Sequence, residues 1–543
     1  MAKLKYMTSK QVKEKLNTLR GARGTWTNQW QDIADFIVPR KNNVTSTKAD
    51  GEKRNFQVLD NTAMNSNELL AGALHGLLTN PYGMWFEYTT GDLALDDSDN
   101  VRIWLQDAAR RTHHVINNSN FQTEVHELYI DMPSFGTGCM LMEEDKQEII
   151  RFSTKFIAEY FIEENHLGKV DRIYREWKWS ADKIVAEYGI ENCPKEVVDA
   201  FKAGAATTFM LVHSVYPASI MDETAKEDII LSQHTLVDLD KDLRKGTFSS
   251  FPYVAPRWSK ASGETYGRSP GMTALPEIKI LNKMSETMLI GAQKVVDPPV
   301  QLPDDGFILP LITRPGGINF YRAGSNDIIK PIFNDTRIDF GEAALESRRK
   351  RVRDAYYVDQ LQLQQQGPMM TATEVMQRTE EKMRLLGPML GRMQSEFLRP
   401  MIDRVFDIML KRNMFLPIPT ELNGKKIDVR YSSFIARAQR SNEAQGVSRF
   451  LQAIAPFISL DPSVADNLDG DSAIGIFSAM FGTPAEIVRP KRAVQAIRTQ
   501  KAQAAQQAQQ AAQMQQGVET AAKVTKTAAD IGGLSGGGGQ ATG

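Results

Sequence analysis

Apolar residues recur at intervals of three and four over residues 8–39. Trp26, Trp30, Ile33, Phe36 and Ile37 share one face, and Pro39 ends the run. The spacing predicts a helix capped at Ser9. The same period returns at 62–78 through Leu70, Ala73, Leu74, Leu77 and Leu78, closed by Asn80-Pro81-Tyr82-Gly83. Trp85–Tyr88 reads as a short strand, and further helices follow at about 98–117 and 121–134. From Gly138 to Arg257 the period shortens to two. Strands are predicted at Cys139–Glu143, Ile149–Ser153, Ala158–Ile162 and Lys169–Trp177, then a helix at 180–188. An antiparallel meander of Thr208–Tyr216, Asp228–Thr235 and Phe248–Val254 follows. Helical spacing resumes over 273–297, a run about 38 Å long at 1.5 Å per residue. Pro298-Pro299 ends it. Residues 298–337, with Pro303, Pro310, Pro315, Gly316, Gly317 and Pro331, read as a compact β-containing insert, and a helix returns at 338–355. Gln360–Gln366 and Gly367-Pro368 form a loop. A capping box at Thr371 and Glu374 then opens a long helix whose stripe is Leu386, Leu390, Met393, Phe397, Met401, Val405 and Ile408. Gly387-Pro388 should kink it and Pro400 should add a second bend, because proline loses a hydrogen bond and clashes with the preceding turn. Residues 414–490 are mixed and mainly helical after Ser441. The Gln/Ala stretch of 495–516 has helix propensity but almost no apolar face, and the glycine-rich end is a coil.

Composition changes this picture little. The 543 residues carry 65 Lys+Arg against 66 Asp+Glu, with 42% hydrophobic residues. That is globular usage, and the bulk charge does not point to nucleic acid. Two cysteines, Cys139 and Cys193, exclude a disulfide framework and a cysteine-based metal site, and fit a reducing compartment. No run of 18 apolar residues predicts a transmembrane helix, and the first residues lack the apolar core of a secretory signal.

Candidate chemistry is sparse. Gly267-Arg268-Ser269-Pro270-Gly271 is formally G-x-S-x-G. The nucleophile elbow, however, uses the backbone N–H of the residue after the serine, and Pro270 has none. The usual chain order also requires a later histidine, and the last one is His234. His126-Glu127 misses the zinc-peptidase pattern because position 130 is Ile130, and the adjacent His113 and His114 diverge on a helix. Asn423-Gly424-Lys425 lacks the upstream glycine of a phosphate loop. Asp96-Asp97 and Asp304-Asp305 lack calcium-loop spacing. The sequence points to no enzyme, no cofactor and no metal.

Two helices bracketing a short β-containing insert, followed by a polar loop and a longer kinked helix, make a distinctive order. Trp30-x-x-Ile33-Ala34-Asp35-Phe36, the Leu69–Pro81 segment before Trp85-Phe86, and Phe135-Gly136-Thr137-Gly138 lie along it. Gly263-Glu264-x-Tyr266-Gly267-Arg268-Ser269 and Thr371-Ala372-Thr373-Glu374-Val375 complete the set. In this order the chain resembles the portal, or head-to-tail connector, proteins of short-tailed bacteriophages. The resemblance spans most of 20–412 and is silent over 413–543.

The resemblance implies a mainly helical α+β portal-type fold: an α/β wing (1–272), a two-helix stem (273–297 and 338–356), a small clip (298–337), a channel loop (357–370), a long kinked helix (371–412), a helical crown (413–490) and a tail (491–543) that is a barrel helix or disordered. It implies a ring at one capsid vertex, assembled in the host cytoplasm, through which double-stranded DNA passes without sequence recognition. The ring would be a dodecamer. Expected partners are the terminase large subunit, tail adaptor and nozzle proteins, and major capsid and scaffold proteins, with no membrane contact. An internal scaffold or ejection protein is the alternative, as is an enzyme with an unrecognised site.

Within that frame, Gln360, Gln362, Gln364, Gln365 and Gln366 would line the channel, although spacing alone favours a plain surface turn. Asp304, Asp305, Arg314 and Arg322 would dock partners at the clip. Arg348, Arg349, Lys350, Arg351 and Arg353 form a basic run that fans around a helix. It reads as ion pairing within the helix or between subunits, for example Glu346 with Lys350, or as DNA contact. The charges of 273–297 (Glu277, Lys279, Lys283, Glu286, Lys294, Asp297) cancel. A ring lined by unbalanced cations would hold DNA instead of letting it slide.

Overall fold

The computed structural model describes residues 4–46, 58–96, 98–222, 229–297, 338–361, 387–422, 427–431 and 493–510, with shorter pieces between them. The chain forms two compact units: Met1–Tyr88, Ala108–Pro417 and Val429–Ile435 in one, and Thr89–Asp107, Ile418–Asp428 and Ala436–Gly543 in the other.

The first unit opens with α1 (Ser9–Phe36) and α2 (Thr62–Leu78), then β1 (Phe86–Thr89) leads out of it. The start of α1 differs from the expectation. Thr8 is the cap: its Oγ1 accepts from Gln11 N–H while Gln11 Oε1 accepts from Thr8 N–H (2.9 Å), and Ser9 Oγ instead donates to Asp242. A T-x-x-Q pair satisfies two orphan amides reciprocally, which a lone serine one position later does not. In the second unit, α3 (Leu93–Asp96) is a single turn tied back by Asp96, which accepts from Thr90 N–H (2.8 Å) and Thr90 Oγ1 (2.7 Å). Residues 493–510 of that unit are helical, with side chains exposed from Lys501 onward. α4 (Asp99–Asn118) runs on into the first unit, where α5 (Phe121–Phe135) follows.

Two antiparallel sheets come next. The smaller has the order β3-β2-β9, from β2 (Met140–Asp145), β3 (Ile149–Thr154) and β9 (Tyr253–Val254). The larger is a five-stranded meander, β4 (Tyr160–Glu164), β5 (Val170–Ser180), β6 (Thr208–Pro217), β7 (Ile230–Leu236) and β8 (Lys241–Phe248). Helices α6 (Ala181–Tyr188) and α7 (Lys195–Lys202) cover one face, where Ile184, Val197, Phe209 and Leu211 are buried together. Val12 and Leu16 of α1 pack against Val212 and Tyr174 in a separate cluster. With apolar neighbours on both sides, β6 reads as a nearly continuous apolar run.

Several elements depart from the sequence reading, among them the short helices α3 and, in a stretch read as a loop, Val358–Leu361. The third strand of the meander is Lys241–Phe248, not Phe248–Val254. Only Tyr253–Val254 of that stretch is extended, and it joins the smaller sheet. The sequence KDLRKGTF carries the charges that protect a sheet edge from further pairing, and those charges mask its strand character. The eight-residue α7 was not expected.

Helix α8 (Pro270–Val296), the paired β10 (Val300–Gln301) and β11 (Lys330–Pro331), α9 (Ile338–Ala355) and the short α10 (Val358–Leu361) follow. The long helix is described from residue 387: α11 (387–393), a π-turn at Gln394–Leu398, and α12 (Arg399–Lys411). It ends at left-handed Asn413, where Met414 N–H reaches Met409 O and Asn413 N–H reaches Leu410 O. This is a glycine-type helix stop made by asparagine.

Candidate assembly site: a two-helix hairpin and its anchoring node

Ser269 of the G-x-S-x-G run is a helix cap. Its Oγ accepts from Met272 N–H (2.9 Å) and donates to Ser134 O (2.6 Å), while Pro270 occupies the first helical position, where a missing N–H costs nothing. The hydroxyl is buried and committed on both sides. It fastens the start of α8 to the end of α5.

Around this cap the sequence motifs converge. Gly136 ends α5 at φ 79°. A Cβ on either Gly136 or Gly267 would fall on the other's carbonyl oxygen, inside the 3.0 Å that real Cβ atoms keep. Gly267 N–H donates to Thr137 Oγ1 (2.8 Å), Trp258 N–H to Gly136 O (2.8 Å), and Trp30 Nε1 to Phe135 O (3.1 Å). Tyr266 packs edge-on against Trp30 at 5.0 Å and accepts from Ile162 N–H, and the Arg268 guanidinium lies 4.5 Å over Trp26. Residues far apart in sequence thus meet as backbone against backbone, sealed by aromatic rings.

Arg257, 2% exposed, ties the long helix to this node. Its Nε and backbone N–H both donate to Glu396 Oε2 (3.0 Å each), and its terminal nitrogens reach Glu396 Oε1 (2.7 Å), Gly168 O (3.1 Å), Thr265 O (3.3 Å) and Glu164. Lys260 also holds Glu164 (2.5 and 2.8 Å). Burial works against the Arg257 charge, but the hydrogen bonds and proximity of Glu396 and Glu164 outweigh it and leave its pKa above the ordinary value. Glu396 sits in the π-turn. The bend expected at Pro400 takes this form: Pro400 has no N–H for Glu396 O, and Arg399 N–H bonds Gln394 O instead. Farther along, buried Arg404 donates to Met142 O (3.0 Å) and Ser250 O (2.6 Å), holding α12 to the smaller sheet. Gly387 and Pro388 begin the described part of this helix, and residues 362–386 before them lie outside it, so the kink itself is not described.

Helices α8 and α9 form an antiparallel hairpin. Gly341 faces Met288, while Glu277, farther back on α8, accepts from Arg348 (2.6 Å) and Arg351 (3.3 Å), farther on in α9. Arg349 donates to Asp60 (2.8 Å) and Arg353 to Glu346 (2.7 Å). Glu346 therefore meets Arg349 and Arg353, not Lys350, which is exposed and forms no ion pair among the described residues. The base of the hairpin is moored by Lys279 to Asp32 (2.8 Å) and by Asn282 Oδ1 accepting Leu59 N–H (2.7 Å). Toward its far end α8 leaves Ile280, Leu289, Ile290, Val295 and Val296 at least 43% exposed. Isolated exposed apolar residues are ordinary, but these five, four of them in the last eight residues of the helix, make a surface fit for a partner.

Gln360 departs from the loop expected for it: it lies in α10, whose first residue Val358 is buried, and is half-buried itself, with its Oε1 shielded from solvent and unpartnered among the described residues. Gln362, Gln364, Gln365 and Gln366, and the clip residues Asp304, Asp305, Arg314 and Arg322, lie outside the described residues. Among the described residues no group of three or more His, Cys, Asp or Glu could hold a metal, and no helix is long and apolar enough to cross a membrane. His113 and His114 lie within hydrogen-bond reach of Asn117 and Asn118. The node and the pairing partners Asp60 and Glu277 escaped the sequence reading. Only the glycine pairs beside aromatic residues hinted at them.

A family model described as bacteriophage head to tail connecting protein matches residues 9–488. The chain is 31% identical over 521 residues to a probable portal protein of Bordetella phage BPP-1, covering 93% of each. It is 30% identical over 497 residues to a portal protein of Salmonella phage epsilon15, covering 89% of each. Among solved structures it is similar, at 12% identity, to a chain in the virion of a native gene transfer agent particle (72% of this chain, 86% of that one, TM-score 0.32) and to one in the neck of an empty gene transfer agent particle (70% and 84%, TM-score 0.35).

Proposed function

The chain belongs to the bacteriophage head-to-tail connecting protein family, and from that premise we propose how it works as the portal of a virion's head–tail junction. The work of such a protein is structural. In this reading copies of the chain close into a ring, a dodecamer, at one capsid vertex, and double-stranded DNA passes through the central hole during packaging and ejection. Residues 1–272 form the wing, 273–297 and 338–356 the stem, 298–337 the clip that docks the terminase large subunit and later the tail adaptor and nozzle proteins. Residues 357–370, which open with the short helix α10, form the channel segment, 371–412 the long helix, 413–490 the crown that faces capsid and scaffold proteins, and 491–543 the tail.

The observation that carries this reading is the family match over nearly the whole chain. The exposed apolar half of α8 supports it, because a ring subunit needs two different faces for its neighbours. So does the pairing of Arg348, Arg349, Arg351 and Arg353 with carboxylates of their own chain, which leaves few cations to grip phosphate.

The channel loop gives the functional test. Replacing Gln364, Gln365 and Gln366 with lysine adds three charges per subunit, repeated around the ring. Each phosphate contact adds about 0.9 to the salt slope of binding. The variant should bind DNA tightly at low salt, stall packaging, and recover as salt rises, whereas Asn or Ser replacements should be mild. Normal packaging by the lysine variant at low salt would place this loop away from DNA.

A further inference from the structure

His213 of β6 and His234 of β7 are register partners, and their rings stack with centroids 4.1 Å apart and planes 23° from parallel. Each is enclosed. His213 Nδ1 meets Tyr253 Oη (2.8 Å) and its Nε2 meets Ser232 Oγ (2.9 Å). His234 Nδ1 meets Tyr188 Oη (2.7 Å), and Trp177 stands edge-on to its ring. Three elements are stitched through these two rings: the meander, α6 through Tyr188, and the smaller sheet through Tyr253.

The charged groups facing the pair are mostly cations. Arg175 comes from β5, Arg244 from β8, and Lys155 from just after β3. The nearby carboxylates are spoken for or lie beyond the tyrosines: Glu159 pairs with Arg175, Glu187 pairs with Arg244, and Glu143 is felt at Tyr188 and Tyr253. No carboxylate accepts from either ring among the described residues. A neutral ring fits this cage, with tyrosine hydroxyls donating to the Nδ1 atoms and His213 Nε2–H donating to Ser232. A proton on either Nδ1 would force the tyrosine hydroxyl to turn from donor to acceptor, and would place a charge in a buried site beside a second imidazole and two guanidinium groups.

We propose that the stacked His213–His234 pair is an acid-released lock, closed at neutral pH, which fastens the five-stranded meander to α6 and to the smaller sheet. The sign follows from linkage. Burial first, then the neighbouring His234 and the cations, push His213 well below the ordinary imidazole range. Burial, Arg244 and Arg175 push His234 down to about 3. The opened meander therefore binds more protons than the closed one. Closure is fully present above the ordinary value of 6.5 and is lost as pH falls below it toward 3, by about tenfold in the opening equilibrium per pH unit for each proton taken up.

Hydrogen exchange of the assembled full-length protein from pH 7.5 to 4, corrected for intrinsic rates, reads this directly. Amides of β6, β7 and α6 should lose protection steeply below pH 6.5, by about tenfold per unit or more, while those of the α8–α9 hairpin hold. His234→Phe keeps a stacked ring and removes one titration, and should flatten that slope at the meander. His213→Gln is the second variant, should phenylalanine not be accommodated. The proposal is overturned if the slope is unchanged in both variants, or if every region loses protection at one pH.

Discussion

Gly267→Ala is expected to lower stability by about 4 kcal/mol, the size at which single substitutions become exceptional. The new Cβ would fall on the carbonyl oxygen of Gly136, and neither backbone can retreat. Gly136 is itself in the left-handed region at the end of α5, and Gly267 N–H is held by Thr137, 130 positions away in sequence. Relief would require pulling the start of α8 off the end of α5, which would also free Ser269 from Ser134. The matched control is Gly72→Ala in α2. Gly72 is exposed, with nothing within 4 Å of the added Cβ, so it should gain up to about 1 kcal/mol from helix propensity. Denaturant unfolding of both variants checks the pair. A Gly267→Ala loss no larger than the effect at Gly72 would show that the node does not carry the fold.

Arg257→Met is expected to cost about 3 kcal/mol, because it keeps most of the volume yet removes the buried cation shared by Glu396 and Glu164, leaving Glu396 only Arg392 (3.2 Å). Lys260 still holds Glu164, so most of the loss falls on Glu396 and the π-turn around it. Glu396→Gln should cost less, and the double variant less than the two single losses combined, since both break one network. Strict additivity of the two losses would mean that Arg257 and Glu396 act on the fold separately.

Legibility in the sequence followed how local the cause was. Helices α2 and α9 stand where the three-and-four spacing put them, because amphipathic periodicity is written in neighbouring residues. Thr8 displaced Ser9 as the cap through a side chain three positions on, a pair easily missed when only the first polar residue is weighed. β8 hid because an edge strand carries charges where an inner strand carries apolar residues. Pro400 announced a disturbance but not its form. The π-turn places Glu396 against Arg257, which lies 139 positions away in the chain, and no local pattern shows that pairing. The basic run of α9 was legible as a fan of cations. Its partners Asp60 and Glu277 were not, because they come from α8 and from just before α2. The node was least legible of all: a contact between two glycine backbones leaves no periodic trace, only the glycines themselves. The expectations for the clip's docking residues and for most of the glutamine loop rest on the resemblance, since those residues lie outside the described part of the chain; of the clip, the β10–β11 pair is described.

The account rests on one claim, that copies of this chain close into a ring with a hole wide enough for duplex DNA. Electron microscopy of the purified full-length protein at micromolar concentration tests it most directly. The account predicts end-on views of closed rings with rotational symmetry and a central channel, weakened by charged substitutions at Leu289 and Ile290 on the exposed face of α8. A stable monomer, or an assembly without a central hole, would contradict it.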